Sequence, residues 1–107
     1  MNLNKLMKEA QKAQQKMMKV QEEAATITAE AQSGGGMVKA VASAEGKVLQ
    51  LTIEKEVVDP NEVEMLQDLV VAAVNEALLK SKEEMDSKVQ DEMKKLTGGM
   101  GLPGMGF

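Results

Sequence analysis

Residues 34–53 read GGGMVKAVASAEGKVLQLTI, and this stretch decides the fold. Residues 37–44 and 47–55 are two short strand-prone runs, and Glu45-Gly46 between them is a tight turn, so the pair predicts a β-hairpin. In the second run Leu49, Leu51 and Ile53 alternate with Val48, Gln50 and Thr52. That period of two buries one face and leaves the other mostly polar. Val57 and Val58 extend this strand or begin a short third one. The three glycines mark a flexible joint between the hairpin and whatever precedes it.

Upstream, residues 3–31 read as one long helix. Apolar or small residues stand at Leu3, Leu6, Ala10, Ala13, Met17, Val20, Ala24, Ile27 and Ala31. The steps alternate three and four, which is a heptad seam, and no Gly or Pro interrupts it. Four of its positions are Ala, so it suits close helix packing. Downstream, Asp59-Pro60-Asn61-Glu62 reads as a helix start, with Asp59 as N-cap and Pro60 at the first helical position. Val63, Leu66, Val70, Ala73, Val74, Ala77 and Leu78 share one side of the helix that follows. Beyond Leu79 the segment is highly charged, with sparse apolar positions at Met85, Val89, Met93 and Leu96, so it projects from the core. The expected organisation is one α+β domain over 1–97. It comprises a helical arm over 1–32, strands over 36–58 in a small antiparallel sheet, and a helix over 60–97. A flexible Gly/Met tail over 98–107 follows.

Composition excludes several kinds of chemistry. The chain of 107 residues has no Cys and no His, hence no thiolate, no disulfide and no imidazole base or metal ligand. The carboxylates lie on helix surfaces or strand edges beside Lys. Glu83-Glu84 and Asp91-Glu92 are neighbours that point about 100° apart on a helix, so they do not converge on a substrate. Gly34-Gly35-Gly36 lacks both phosphate-loop signatures and precedes a strand, so it is a hinge or a tight approach. No catalytic residue, cofactor, small-molecule substrate or metal is expected. The ten Met, among them Met7, Met17, Met65, Met85 and Met93, read as packing residues. The N-terminus lacks the apolar run of a signal peptide, and no apolar stretch approaches the roughly 20 residues of a membrane span. A soluble, cytoplasmic protein is expected.

The net charge of −4 argues against an anionic partner, but the charge is unevenly placed. Residues 59–79 hold five acids and no base. Residues 1–20 hold five Lys against Glu9 alone. Lys5, Lys8, Lys12, Lys16 and Lys19 fall within an arc of about 80° on a helix and form a stripe roughly 21 Å long. The stripe is rotated about 120° from the apolar seam. A merely solvated face usually mixes signs, which this one barely does. A lysine stripe neutralises phosphates and releases counterions without reading bases. The chain has no Arg for bidentate guanine contacts, and its sole aromatic is Phe107. The pattern therefore favours double-stranded DNA held through its backbone. A membrane reading of the same helix is weaker, because its apolar side is largely Ala and has no Trp or Phe. The rival is a structural or adaptor protein that binds a partner helix through the seam.

Taken in order, MKEAQKAQQKMMKVQEE, GGGMVKAVASAEGKVLQLTI, EMLQDLVVAAVNEALLKSKEEM and KKLTGGMGLPGMGF resemble the YbaB/EbfC family of nucleoid-associated proteins over essentially the whole chain. The resemblance implies an α–β–α core that forms a tweezers-like homodimer with projecting terminal helices. It implies DNA binding, altered DNA conformation, and a part in nucleoid organisation and gene regulation, with no cofactor. Carried over to this chain, binding falls to Lys5, Lys8, Lys12, Lys16 and Lys19. Lys80, Lys82, Lys88, Lys94 and Lys95 on the last helix are secondary. Leu49, Leu51, Ile53, Val63, Leu66, Val70 and Val74 are expected to form the core and part of the dimer interface.

Overall fold

The computed structural model describes residues 2–98; the expected tail beyond residue 98 lies outside the described residues. The chain runs α1 (Leu3–Thr26), β1 (Thr28–Ser33), β2 (Val38–Ser43), β3 (Val48–Ile53) and α2 (Val63–Gly98). The three strands form one antiparallel sheet in the order β1-β2-β3. The expected hairpin is β2–β3, closed at Gly46, whose N–H donates to Ser43 O at 3.0 Å. The α+β class is as the sequence indicates.

The third strand is a correction. The helix expected over 3–31, and the arm over 1–32, end at Thr26, and residues 28–33 form β1. Thr26, Ile27 and Thr28 are consecutive β-branched residues, which favour extended backbone over helix. Ile27 is extended, with φ −86° and ψ 114°, and its N–H donates back to Glu23 O. From there the period changes from helical to two: Ala29 and Ala31 are buried while Thr28, Glu30 and Gln32 are exposed. Ala31 fitted both periods, which let the seam appear to continue. The three-residue turn Lys55–Val57 replaces the expected strand at Val57 and Val58, and it plugs Val57 into the core.

The helix start is also shifted. Asp59 Oδ1 accepts from Asn61 N at 2.9 Å, and Asp59 O accepts from Glu62 N at 2.9 Å. Pro60 therefore occupies the second position of a β-turn, where its fixed φ fits, and α2 begins three residues later.

The core is thin and made of small residues. Val38, Ala40 and Ala42 of β2 pack with Ala31 of β1, Val57, and Ala73 and Ala77 of α2. Ile53, Leu66, Leu69, Val70, Val74 and Leu78 seal its margin. Val38 is the largest apolar side chain that is fully buried. Ser33 Oγ donates to Leu69 O at 2.6 Å, a tertiary bond that ties the end of β1 to α2. The expected core residues Leu49, Leu51 and Val63 are instead 53 %, 42 % and 49 % exposed in the single chain. The reason is placement: α2 lies over β1 and β2 and leaves β3 aside. Leu51 pairs with Ala40 and Ile53 with Val38, so these residues point to the helix-covered face but beyond the helix.

The result is elongated. The radius of gyration is 20.4 Å, against about 13 Å for a compact chain of this length.

β1 and β2 are joined by Gly34, Gly35 and Gly36, with φ of 60°, 69° and 97°. This left-handed run is accessible to glycine and costly for other residues. A Cβ on Gly35 would meet nothing within 4 Å, so substitution there isolates the backbone cost. Gly35→Ala should lower stability by about 1 kcal/mol in urea unfolding, without changing the fold seen by circular dichroism.

Candidate nucleic-acid interface

α1 is built from strong helix formers and contains no Gly or Pro. Asn2 caps it, its Oδ1 accepting from Lys5 N at 3.4 Å. None of its residues is buried. It meets the body at its C-terminal end, where Glu23 and Ala24 are half-buried, and residues 2–22 are exposed throughout. The helix is thus an arm whose whole circumference faces solvent in the single chain.

Lys5, Lys8, Lys12, Lys16 and Lys19 all lie on this arm and are exposed, on the single face that their spacing predicts. Among the described residues the one ion pair is Lys47 with Glu45, at 3.9 Å, so none of the five is neutralised by a carboxylate of its own chain. Five parallel ammonium groups at spacings of three and four present a linear positive edge. That edge matches a phosphate backbone better than it matches a compact anion.

The lysines of α2 are arranged differently. Lys80, Lys82, Lys88, Lys94 and Lys95 are exposed. Lys80, Lys88, Lys94 and Lys95 fall within an arc of about 120° on the helix, while Lys82 points away from it. Lys80 and Lys88 line a shallow, open depression together with Glu83, Glu84, Ser87 and Asp91. Its interleaved signs make it neither an anion site nor an enclosed substrate pocket. Among the described residues no cluster of carboxylates is placed to hold a metal, and no helix is long and apolar enough to cross a membrane.

A second surface was only partly foreseen. Val48, Leu49 and Leu51 of β3 are exposed together. Val48 was not among the expected interface residues, because alternation set it on the polar face. A register shift between Val41 and Ala42 pairs Val48 with Ala42 and turns it to the apolar face. Ile53, Leu66, Val70 and Val74 are half-buried, whereas Val63 stands free at the start of α2.

A three-stranded sheet backed by one long helix, with a second, lysine-edged helix as a free arm, defines a small α+β protein whose exposed positive edge suits a polyanion. The chain belongs to the YbaB/EbfC DNA-binding family, whose model matches residues 1–100. It is 51 % identical over 105 residues to a nucleoid-associated protein of Clostridium novyi, covering 98 % of this chain and 89 % of that one. It is likewise 51 % identical over 105 residues to a nucleoid-associated protein of Acetivibrio thermocellus, covering 97 % and 89 %. The crystal structure of an uncharacterized protein from Helicobacter pylori has the same fold. Its TM-score is 0.70 at 18 % identity, over 87 % of this chain and 98 % of that one. The family match favours the DNA reading over the adaptor reading.

Because α1 buries nothing, its helicity rests on local propensity, which is marginal for a lone helix of this length. In dilute protein, amide hydrogens of residues 8–20 should exchange at least tenfold faster than those of residues 70–82, which pack on the sheet. Hydrogen exchange read by mass spectrometry or NMR checks this.

Proposed function

We propose that this protein is a non-enzymatic, nucleoid-associated DNA-binding protein that holds duplex DNA mainly through its phosphates. In this role it alters DNA conformation and contributes to nucleoid organisation and gene regulation. The observation that carries the reading is the row of five unpaired, exposed lysines on a helix with no buried residue. Contacts of this kind supply affinity without strong sequence preference, and the absence of Arg fits that. Lys80, Lys82, Lys88, Lys94 and Lys95 play a smaller part, since five acids are interleaved with them between Glu83 and Glu92. The nucleoid-associated relatives support a place in the nucleoid within the cytoplasm.

The working unit in this reading is a homodimer. Its interface is drawn from Leu49 and Leu51, bare on β3, with Ile53 and the α2 residues Val63, Leu66, Val70 and Val74. A second copy laid on these residues would complete the half-covered sheet face. A thin alanine-lined core makes such association a natural source of stability.

Two measurements check this. Replacing Lys5, Lys8, Lys12, Lys16 and Lys19 together by Gln should weaken binding similarly on two unrelated duplexes. It should also reduce the slope of log affinity against log salt by about 4 per arm engaged. An unchanged slope would remove the stripe from the mechanism. Light scattering of dilute protein should give twice the chain mass of 11.5 kDa. Leu49→Asp with Leu51→Asp should return it to the single-chain mass, and a wild-type protein already at that mass would refute the dimer.

A further inference from the structure

Phosphate binding uses one side of α1 and leaves the seam unexplained. Leu3, Leu6, Met17 and Val20 are 68 %, 47 %, 65 % and 45 % exposed, and Ala10 and Ala13 between them are also exposed. The structure sets the limits of this free seam. Ile27 and Ala31 have left the helix, and Ala24 is half-buried at the base of the arm. What remains is Leu3 to Val20, and its midpoint falls between Ala10 and Ala13.

We infer that this seam is an interface for the α1 arm of a second copy, packed antiparallel about a two-fold axis through that midpoint. The seam is self-complementary under this operation. Leu3 meets Val20, Leu6 meets Met17, and Ala10 meets Ala13, each pairing occurring twice, so all six positions find a partner in three kinds of layer. The two alanines at the centre allow close approach of the backbones, and the larger side chains close the ends.

The flanks of the seam agree. Glu9 and Lys16 border it on one side, and Met7 and Gln14 on the other. The same two-fold sets Glu9 of each arm beside Lys16 of the other, giving two opposite-charge pairs. It sets Met7 beside Gln14. A parallel arrangement would instead place Glu9 beside Gln14 and Lys16 beside Gln21, pairing no charges, so the charge pattern selects the antiparallel form. Lys5, Lys8, Lys12 and Lys19 stay on the outer side, where they remain open to phosphate.

The contact is small and weak in dilute solution, and it gains effect where copies are concentrated along a duplex. It would join separate DNA-bound units arm to arm. That role on a duplex rests on the DNA reading, whereas the contact between arms does not.

The test is sedimentation of the full chain without DNA, at low salt and over a concentration series reaching hundreds of micromolar. Wild type should show an association step that survives Leu49→Asp with Leu51→Asp. Glu9→Lys and Lys16→Glu each turn two attractions into two repulsions and should each weaken that step about tenfold. The double variant Glu9→Lys with Lys16→Glu should restore it to within about twofold of wild type. A nonspecific effect of net charge would move the two single variants in opposite directions, because one removes negative charge and the other adds it. Absence of the step in wild type, opposite shifts in the single variants, or no recovery in the double variant would overturn the inference.

Discussion

The contact between α2 and the β1–β2 half of the sheet is the constraint from which the rest of the molecule follows. It is made by Ala31, Ala40, Ala42, Ala73 and Ala77 around Val38, so helix and sheet approach closely but over a narrow strip. Small side chains bury little area each, and the apolar contribution scales with that area. Such a core holds one helix against two strands. It does not reach across β3, and it cannot recruit α1, whose surface stays in water.

Function in this reading grows from what the narrow contact leaves uncovered. The arm remains free, and among the described residues none of its five lysines is in an ion pair. By contrast, residues 59–79 around the start of α2 hold five acids and no base. Separation of sign along an elongated body explains how a chain of net charge −4 can offer an edge to a polyanion: the local field matters at contact distance, and the total charge is screened beyond about a Debye length.

The same economy of burial leaves two apolar strips of different character. The strip on β3 holds large aliphatic side chains beside a half-covered sheet face, which suits a stable contact. The seam on α1 has two alanines at its centre and larger side chains at its ends along an exposed rod, which suits a weaker and reversible one. A protein that coats or joins duplexes has use for both, one to make its unit and one to link units.

Much of this was legible in the residues. The hairpin was readable because Glu45-Gly46 sits between two strand-prone runs, and the lysine stripe because its spacing already states a helical face. The family resemblance rested on the order of segments along the whole chain. The end of α1 was misread because alanine is compatible with either period: Ala31 fits a seam as well as a strand. Pro60 was placed one turn too far into the helix, since a β-turn and a helix start draw on the same residues. The sequence by itself determined the β2–β3 hairpin, the lysine face of α1 and the absence of Cys and His, because these depend on local spacing and residue chemistry. Only the tertiary structure decided that Leu49 and Leu51 lie bare while alanines fill the core. Alternation tells which face of a strand a residue points to, but whether that face is covered depends on where a distant helix comes to rest.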